Sequence, residues 1–223
     1  MNTFKRWAVV LTALFLLPKC SSTGLEIRRM AHSRKLVKCR FLPYLQARTS
    51  RPPEGKGTLW IDVSSSGEPP YDRFSPFYPH GGIPIPGMEN RTSDSVEGIW
   101  QGLKVIRGEI APRFFEGAGR KRVGKPAGHQ FGDQKRLLDL AEARRKIYIP
   151  AYEWMLTNRI DSEILEAIIS KAFRGIPQFF FDREDNASIG KDRPLAHASL
   201  LVDYINCIID ERLGKEPPTS AGR

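Results

Sequence analysis

Glu97, Gln101 and Lys104 set a carboxylate, an amide and an ammonium at four- and three-residue spacing in the run Ser95-Val-Glu-Gly-Ile-Trp-Gln-Gly-Leu-Lys104. Val96, Ile99, Trp100 and Leu103 follow the i, i+3, i+4, i+7 rule of a helix that buries one stripe. The spacing predicts a helix from about residue 95, apolar toward the core and polar along a flank that can wall a cleft. In such a cleft the carboxylate opposes positive charge, the ammonium keeps it ionised and anchors an anion, and the amide fixes a water or a sugar hydroxyl. A plainer use is a capping box, with Asp94 as N-cap, Glu97 reaching back to a free N–H, and Lys104 in solvent. A second acidic group, Asp182, Glu184 and Asp185, follows the aromatic run 179–181, which reads as a buried strand ending in a loop.

Other segments must bring these groups together. After a Pro/Gly/polar linker over residues 48–57, the stretch 59–64 reads as a strand. Phe74-Ser-Pro-Phe-Tyr-Pro79 is too aromatic for a free loop and is expected to pack on the helix near Ser95. Pro84 and Pro86 make 80–87 an irregular, strand-like loop. In the segment Gly117-Ala-Gly-Arg-Lys-Arg-Val-Gly-Lys-Pro-Ala-Gly-His129, small residues free backbone N–H groups while Arg120, Lys121, Arg122 and Lys125 supply charge. That composition suits a phosphate or a solvated basic loop; it is not a Walker A loop, since no Gly-Lys-Ser/Thr closes it. His129 at its end can hydrogen-bond a ribose or phosphate, or serve as a structural donor. Residues 137–156 read as helix, broken or kinked at Pro150, with Arg145, Tyr148, Tyr152 and Trp154 around the kink. A helix over 162–173 offers Ile164, Leu165, Ile168 and Ile169 as core. A last amphipathic helix opens at about Pro194, with His197 either facing the cleft or filling a helix-end position. Together the elements predict an α+β fold, mostly helical, with a small sheet that includes 59–64 and 179–181.

The order aromatic-Ser-x-Phe, a loop with a short strand, then Ser-x-Glu, an aromatic, Gln and Lys resembles the NADAR family, the YbiA-like N-glycosidases. Here it is Phe74-Ser75-Pro76-Phe77, the loop around Ile83-Pro-Ile85, Ser95-Val96-Glu97, Trp100-Gln101 and Lys104. The likeness spans roughly residues 59–213, specific in its first half and loose in its second. It implies a YbiA-like α+β fold and hydrolysis of an N-glycosidic bond between a phosphoribosyl or ADP-ribosyl group and a base or amine. Riboflavin-pathway intermediates are the substrates of some members and ADP-ribosylated nucleobases of others. The resemblance implies Glu97 as one catalytic carboxylate and an acid of the late loop as the other. Register against Ile189-Gly190 aligns the family's Asp with Asn186; a slip of one residue restores Asp185, with Glu184 as the rival. The family's early pocket Trp is replaced by Ala141-Glu142, so stacking passes to Tyr148 or Trp154.

Such a site suits the reaction. Positive charge develops on the ribosyl ring as the bond breaks, so one carboxylate stabilises it while another group deprotonates a water on the opposite side. Lys104 with Arg120, Lys125 and His129 are the expected phosphate and sugar contacts, and Phe74, Tyr78 and Tyr148 the expected stacking surfaces. Gln101 fixes the water, and His197 is placed in the same cleft. His80, His129 and His197 lack ligand spacing, so no metal and no cofactor are expected. Two other readings stay open: a degenerate ADP-ribose or nucleotide-binding module of this fold, and a nucleic-acid-associated protein using its basic arm.

The arm is where the charge lies. Of the formal net charge of +10 in 223 residues, the whole excess falls in residues 1–57, with twelve basic side chains against Glu26 and Glu54. The rest is balanced, so bulk attraction to nucleic acid or lipid belongs to the arm. Lys5-Arg6 before the apolar run 8–17 has the outline of an export or targeting signal, too short to span a bilayer. Residues 1–57 are thus expected to be an extension, 58–214 one domain, and 215–223 a tail. Cys20, Cys39 and Cys207 imply no disulfide framework, which favours a reducing, cytoplasmic setting. Asn90-Arg-Thr92 and Asn186-Ala-Ser188 are glycosylation sequons.

Overall fold

The computed structural model describes residues 36–49 and 57–215. The targeting-like run, most of the arm's charge and all of the expected tail but Lys215 lie outside those residues.

A three-stranded parallel sheet forms the centre: β1 (Arg40–Phe41) and β2 (Leu59–Asp62) flank β7 (Gln178–Phe181), with Phe41 opposite Phe180 and Asp62 opposite Phe181. Parallel strands are covered on both faces, which explains why the 179–181 run is continuously aromatic instead of alternating. Phe180 is fully buried, and its burial contributes roughly 1.5–3 kcal/mol. The sheet takes in residues whose composition reads as arm. Arg40–Phe41 pairs with β7, buried Cys39 exchanges backbone hydrogen bonds of 3.0 Å with the Asn206 amide, and the helix α1 (Tyr44–Thr49) follows. The strand predicted over 59–64 ends at Asp62.

Four longer elements enclose the sheet and the site. α2 (Val96–Gly102) leads into the short pair β5 (Lys104–Val105) and β6 (Gly128–His129), after the minor pair β3 (Ile83–Pro84) and β4 (Thr92–Ser93). α3 (Leu140–Ala143), a π turn over Arg144–Tyr148 and α4 (Ile149–Asn158) make one continuous bent rod. Pro150 has no N–H to offer its i−4 carbonyl; the ladder slips, and the Ile149 N–H bonds to the Arg144 carbonyl five residues back. α5 (Ser162–Phe173) buries Ile168, Ile169, Ala172 and Phe173, leaving Ile164 and Leu165 half-exposed. α6 (His197–Arg212) lays Leu201, Val202, Ile205 and Ile209 into the core and packs on β1 and β7. The fold is α+β. Among the described residues, no helix is long and apolar enough to cross a membrane.

Candidate functional site

α2 starts differently from the capping-box expectation. Ser95 is the N-cap, its hydroxyl accepting the Gly98 N–H at 3.1 Å, while the Asp94 carboxylate turns away to the Gly117 N–H at 2.7 Å. Glu97 is therefore not used as a cap. Its own N–H donates to the Pro76 carbonyl at 2.8 Å, which docks the 74–79 segment on the helix as its aromatic composition predicts. The helix ends at Gly102, where Phe115 packs so closely that a Cβ would stand 2.2 Å from its ring. Lys104 consequently lies on β5, opposite His129, and not on the helix face inferred from the spacing.

The polar set is nevertheless joined. The Glu97 carboxylate, only 3 % exposed, accepts from the Gln101 amide at 2.6 Å and lies 3.3 Å from the Lys121 ammonium. The Gln101 carbonyl oxygen accepts from Lys104 Nζ at 2.9 Å and from the Arg122 N–H at 3.2 Å. Both of those partners are donors only, so the amide nitrogen must face Glu97. Buried Gln101 is thus a strut between Lys104 and Glu97, in place of the water or sugar contact expected of it. Burial depresses the Lys104 pKa; Glu97 opposes this, and Lys121 and Arg122 add to it.

The basic loop folds directly over this strut. Gly119 donates to the Phe77 carbonyl at 2.8 Å, and a Cβ there would meet the Glu97 Cβ at 2.6 Å, so only glycine closes the loop here. Its charges divide. Arg122 donates to the Lys104 and Glu109 carbonyls, and exposed Arg120 to the Arg113 carbonyl over the Phe114 ring. Lys125 is exposed. Lys121, from this loop, lines the hollow beside Glu97.

That hollow is a cavity of about 260 Å³, walled by Glu97, Trp100, Lys104 and Lys121 on one part and by His129, Arg144, Tyr148 and the loop Asp192-Arg193-Pro194-Leu195 on the rest. Trp100, read as core from its spacing, is half-buried and supplies the aromatic wall: its ring lies 3.9 Å from that of His129 and edge-on to Tyr148 at 5.5 Å. His129 is buried, its Nε2 has no hydrogen-bond partner, and burial together with Lys104 and Arg144 pushes its pKa down to about 3. Arg144, which the sequence reading passed over, is 3 % exposed and donates at 2.6 Å to the Ile189 and Lys191 carbonyls and also to that of Arg193. Asn186 donates to the same Arg193 carbonyl at 3.1 Å and to the Ser188 carbonyl at 3.0 Å. Both of its amide hydrogens are spent, so a glycan on Asn186 would require this turn to open. The signal for Arg144 was a basic residue next to a proline-broken helix, but its partners lie over forty residues away and have no spacing to read.

Other predicted site residues lie elsewhere. Asp185 is exposed and accepts the Leu45 N–H at 2.7 Å, capping α1. Phe74 is fully buried, its carbonyl receiving the Tyr152 hydroxyl at 2.8 Å, and half-buried Tyr78 packs on His80 at 4.7 Å. Neither residue lines the cavity: Phe74 is spent in the core and Tyr78 on His80. His197 is buried between the Asp182 carboxylate, 2.9 Å from Nδ1, and the Val63 carbonyl, 2.8 Å from Nε2. Both acceptors need a proton from the ring, so this is an imidazolium in a structural pair that ties α6 to β2 and β7. Glu184, half-buried, has its pKa raised by burial against the pull of Lys121, and lines a smaller hollow of about 150 Å³ that shares Arg193 and Pro194 with the first. Asp192 is a carboxylate on the main cavity wall that the sequence reading did not single out.

A family model described as "Family of unknown function (DUF6939)" matches residues 54–201, which takes in α2, both basic and acidic loops and the first turn of α6. The chain belongs to the DUF6939 family. No curated protein and no solved structure matches it. The matched span holds every residue named on the cavity wall.

Proposed function

We propose that this DUF6939 protein is a hydrolase of N-glycosidic bonds, acting on a phosphoribosyl or ADP-ribosyl group attached to a base or amine. The observation that carries the reading is Glu97: a carboxylate 3 % exposed, at the wall of a cavity, held by Gln101 on one side and by a lysine ammonium on the other. A carboxylate held in a fixed orientation at the wall of a hollow is what a cationic ribosyl transition state requires. The motif likeness to the YbiA-like N-glycosidases points to the same residue. In this mechanism Glu97 faces the anomeric carbon and Asp192 takes a proton from the attacking water. The electron pair of the breaking C–N bond leaves with the base, which is protonated as it departs. Trp100 and Tyr148 supply the aromatic wall against which the base lies. In this reading Glu184, which lines the adjoining hollow, is the acid that supplies that proton.

The test is to incubate the full chain with aminated ribose phosphates and with ADP-ribosylated nucleic acid and to follow release of free base by mass. Glu97→Gln is expected to lower turnover by about a hundredfold or more with the circular dichroism unchanged. Turnover at the wild-type rate in that variant would falsify the mechanism. One observation favours a second reading, a ligand-binding module without turnover: Asp185, the acid closest in register to the family's, is committed to the Leu45 N–H. In that case the same experiment yields binding and no release of base.

A further inference from the structure

The cavity wall is electrically lopsided. Lys104, Lys121, Arg144 and Arg193 face it, against the carboxylates of Glu97 and Asp192. Lys121 is matched to Glu97 by contact, but Arg144 has no such contact: its hydrogen bonds go to carbonyls, which hold a guanidinium without neutralising it. Among the described residues no carboxylate lies within ion-pair distance of Arg144, although Asp192 acts on it from farther away. A buried cation left in that state costs free energy unless an anion joins it. Beside it, His129 presents a buried ring with an unpartnered nitrogen, packed on Trp100. Burial depresses the pKa of that ring first, and the positive charges of Lys104 and Arg144, which both act on it, depress it further.

We infer that the corner where Lys104, His129 and Arg144 meet is a phosphate subsite, shaped for a single phosphomonoester of the ligand. This rests on the glycosidase reading above and narrows it, selecting a phosphoribosyl over an ADP-ribosyl substrate. Two excess cations match one phosphomonoester, which carries about −1.5 to −2 charges near neutral pH. The neutral imidazole offers one N–H, and a phosphate oxygen is its fitting acceptor. A cavity of about 260 Å³ falls just below the size usual for drug-sized ligands, which suits one ribosyl phosphate and leaves little room for a second nucleoside. The exposed Arg120 and Lys125 have no place in this subsite.

Calorimetric titration of the full chain with ribose, ribose 5-phosphate and ADP-ribose tests it. Ribose 5-phosphate is expected to bind about tenfold or more tighter than ribose, the effect of one charge-assisted contact, and at least as tightly as ADP-ribose. Arg144→Gln is expected to abolish that preference, but it also releases the 189–193 loop. Lys104→Met, whose partner Gln101 stays packed, is the cleaner variant and is expected to abolish it too. Equal affinity for ribose and its phosphate, a preference unchanged in Lys104→Met, or a clear preference for ADP-ribose each overturns the subsite. Glu97→Gln separates the two proposals, since it should keep the phosphate preference while losing turnover. Hydrolysis of an unphosphorylated N-riboside as fast as its 5′-phosphate overturns the subsite and leaves the glycosidase intact.

Discussion

At the scale of single residues, Gln101 governs the site without lining it. Its amide is the only bridge between the Lys104 ammonium and the Glu97 carboxylate among the described contacts, and both of its ends are satisfied. Gln101→Leu leaves the buried Glu97 carboxylate and the half-buried Lys104 ammonium each short of a partner, which should destabilise the fold by about 1–3 kcal/mol in urea unfolding. The isosteric Gln101→Glu puts a second carboxylate against Glu97 and should be at least as harmful at neutral pH, recovering in part as the pH falls and one of the two is protonated. An equal loss at all pH values would show that the charge contact is not what Gln101 protects. Spacing revealed this trio because helix geometry is local. It misassigned the roles, because which of three polar groups meets solvent depends on what lies over the helix.

At the scale of elements, close approach decides the arrangement. Gly119 lets the basic loop lie on Glu97, and Gly119→Ala would drive a methyl into the Glu97 Cβ at 2.6 Å. The loop should lift, with a loss of about 1–3 kcal/mol from overpacking and faster protease cleavage within residues 117–127. Unchanged protease resistance together with unchanged stability would refute the close packing. Elements with a strong local signal were readable: the 59–62 and 178–181 strands, α5, α6 and the docking of 74–79 on α2. The π turn was not. Pro150 announces a break in the rod, but a proline says only that one hydrogen bond is missing, not how the ladder repairs itself. The repair places Arg144 and Tyr148 on the cavity wall. Likewise the two-residue strand Arg40–Phe41 is too short for any periodicity, and exists because β7 offers it an edge.

At the scale of the whole molecule, the Asp182–His197 pair joins the sheet to α6. Asp182 also accepts the Ala198 and Glu184 N–H groups, at 2.9 and 2.7 Å. Burial opposes its charge, yet His197 and these N–H groups hold its pKa below the ordinary 3.8. Burial likewise opposes the His197 charge, but Asp182 and the Val63 carbonyl raise its pKa above 6.5. The Asp182 contribution is present above pH 3.8 and lost as pH falls through its lowered value. The His197 contribution is complete below pH 6.5 and lost as pH rises through its raised value. The pair is therefore worth most between those limits. His197→Gln should cost about 3–5 kcal/mol there, and the gap from wild type should shrink at alkaline pH in denaturant titrations. A gap that widens with rising pH would contradict the imidazolium assignment.

Amino-acid order alone determined the α+β class, the carboxylate–amide–ammonium trio and the strand that carries the late acids, since periodicity and composition act over a few residues. Tertiary structure decided the rest. It chose which acid faces the cavity, turning Asp185 to the Leu45 N–H and leaving Asp192 on the wall. It decided between the two roles open to His197, making it the buried helix-end tie and not a cleft residue, and brought Arg144 into a pocket that no spacing announces. The physical reason is the same in each case. A polar side chain goes to the partner that best compensates its burial, and that partner is set by packing between segments far apart in the chain.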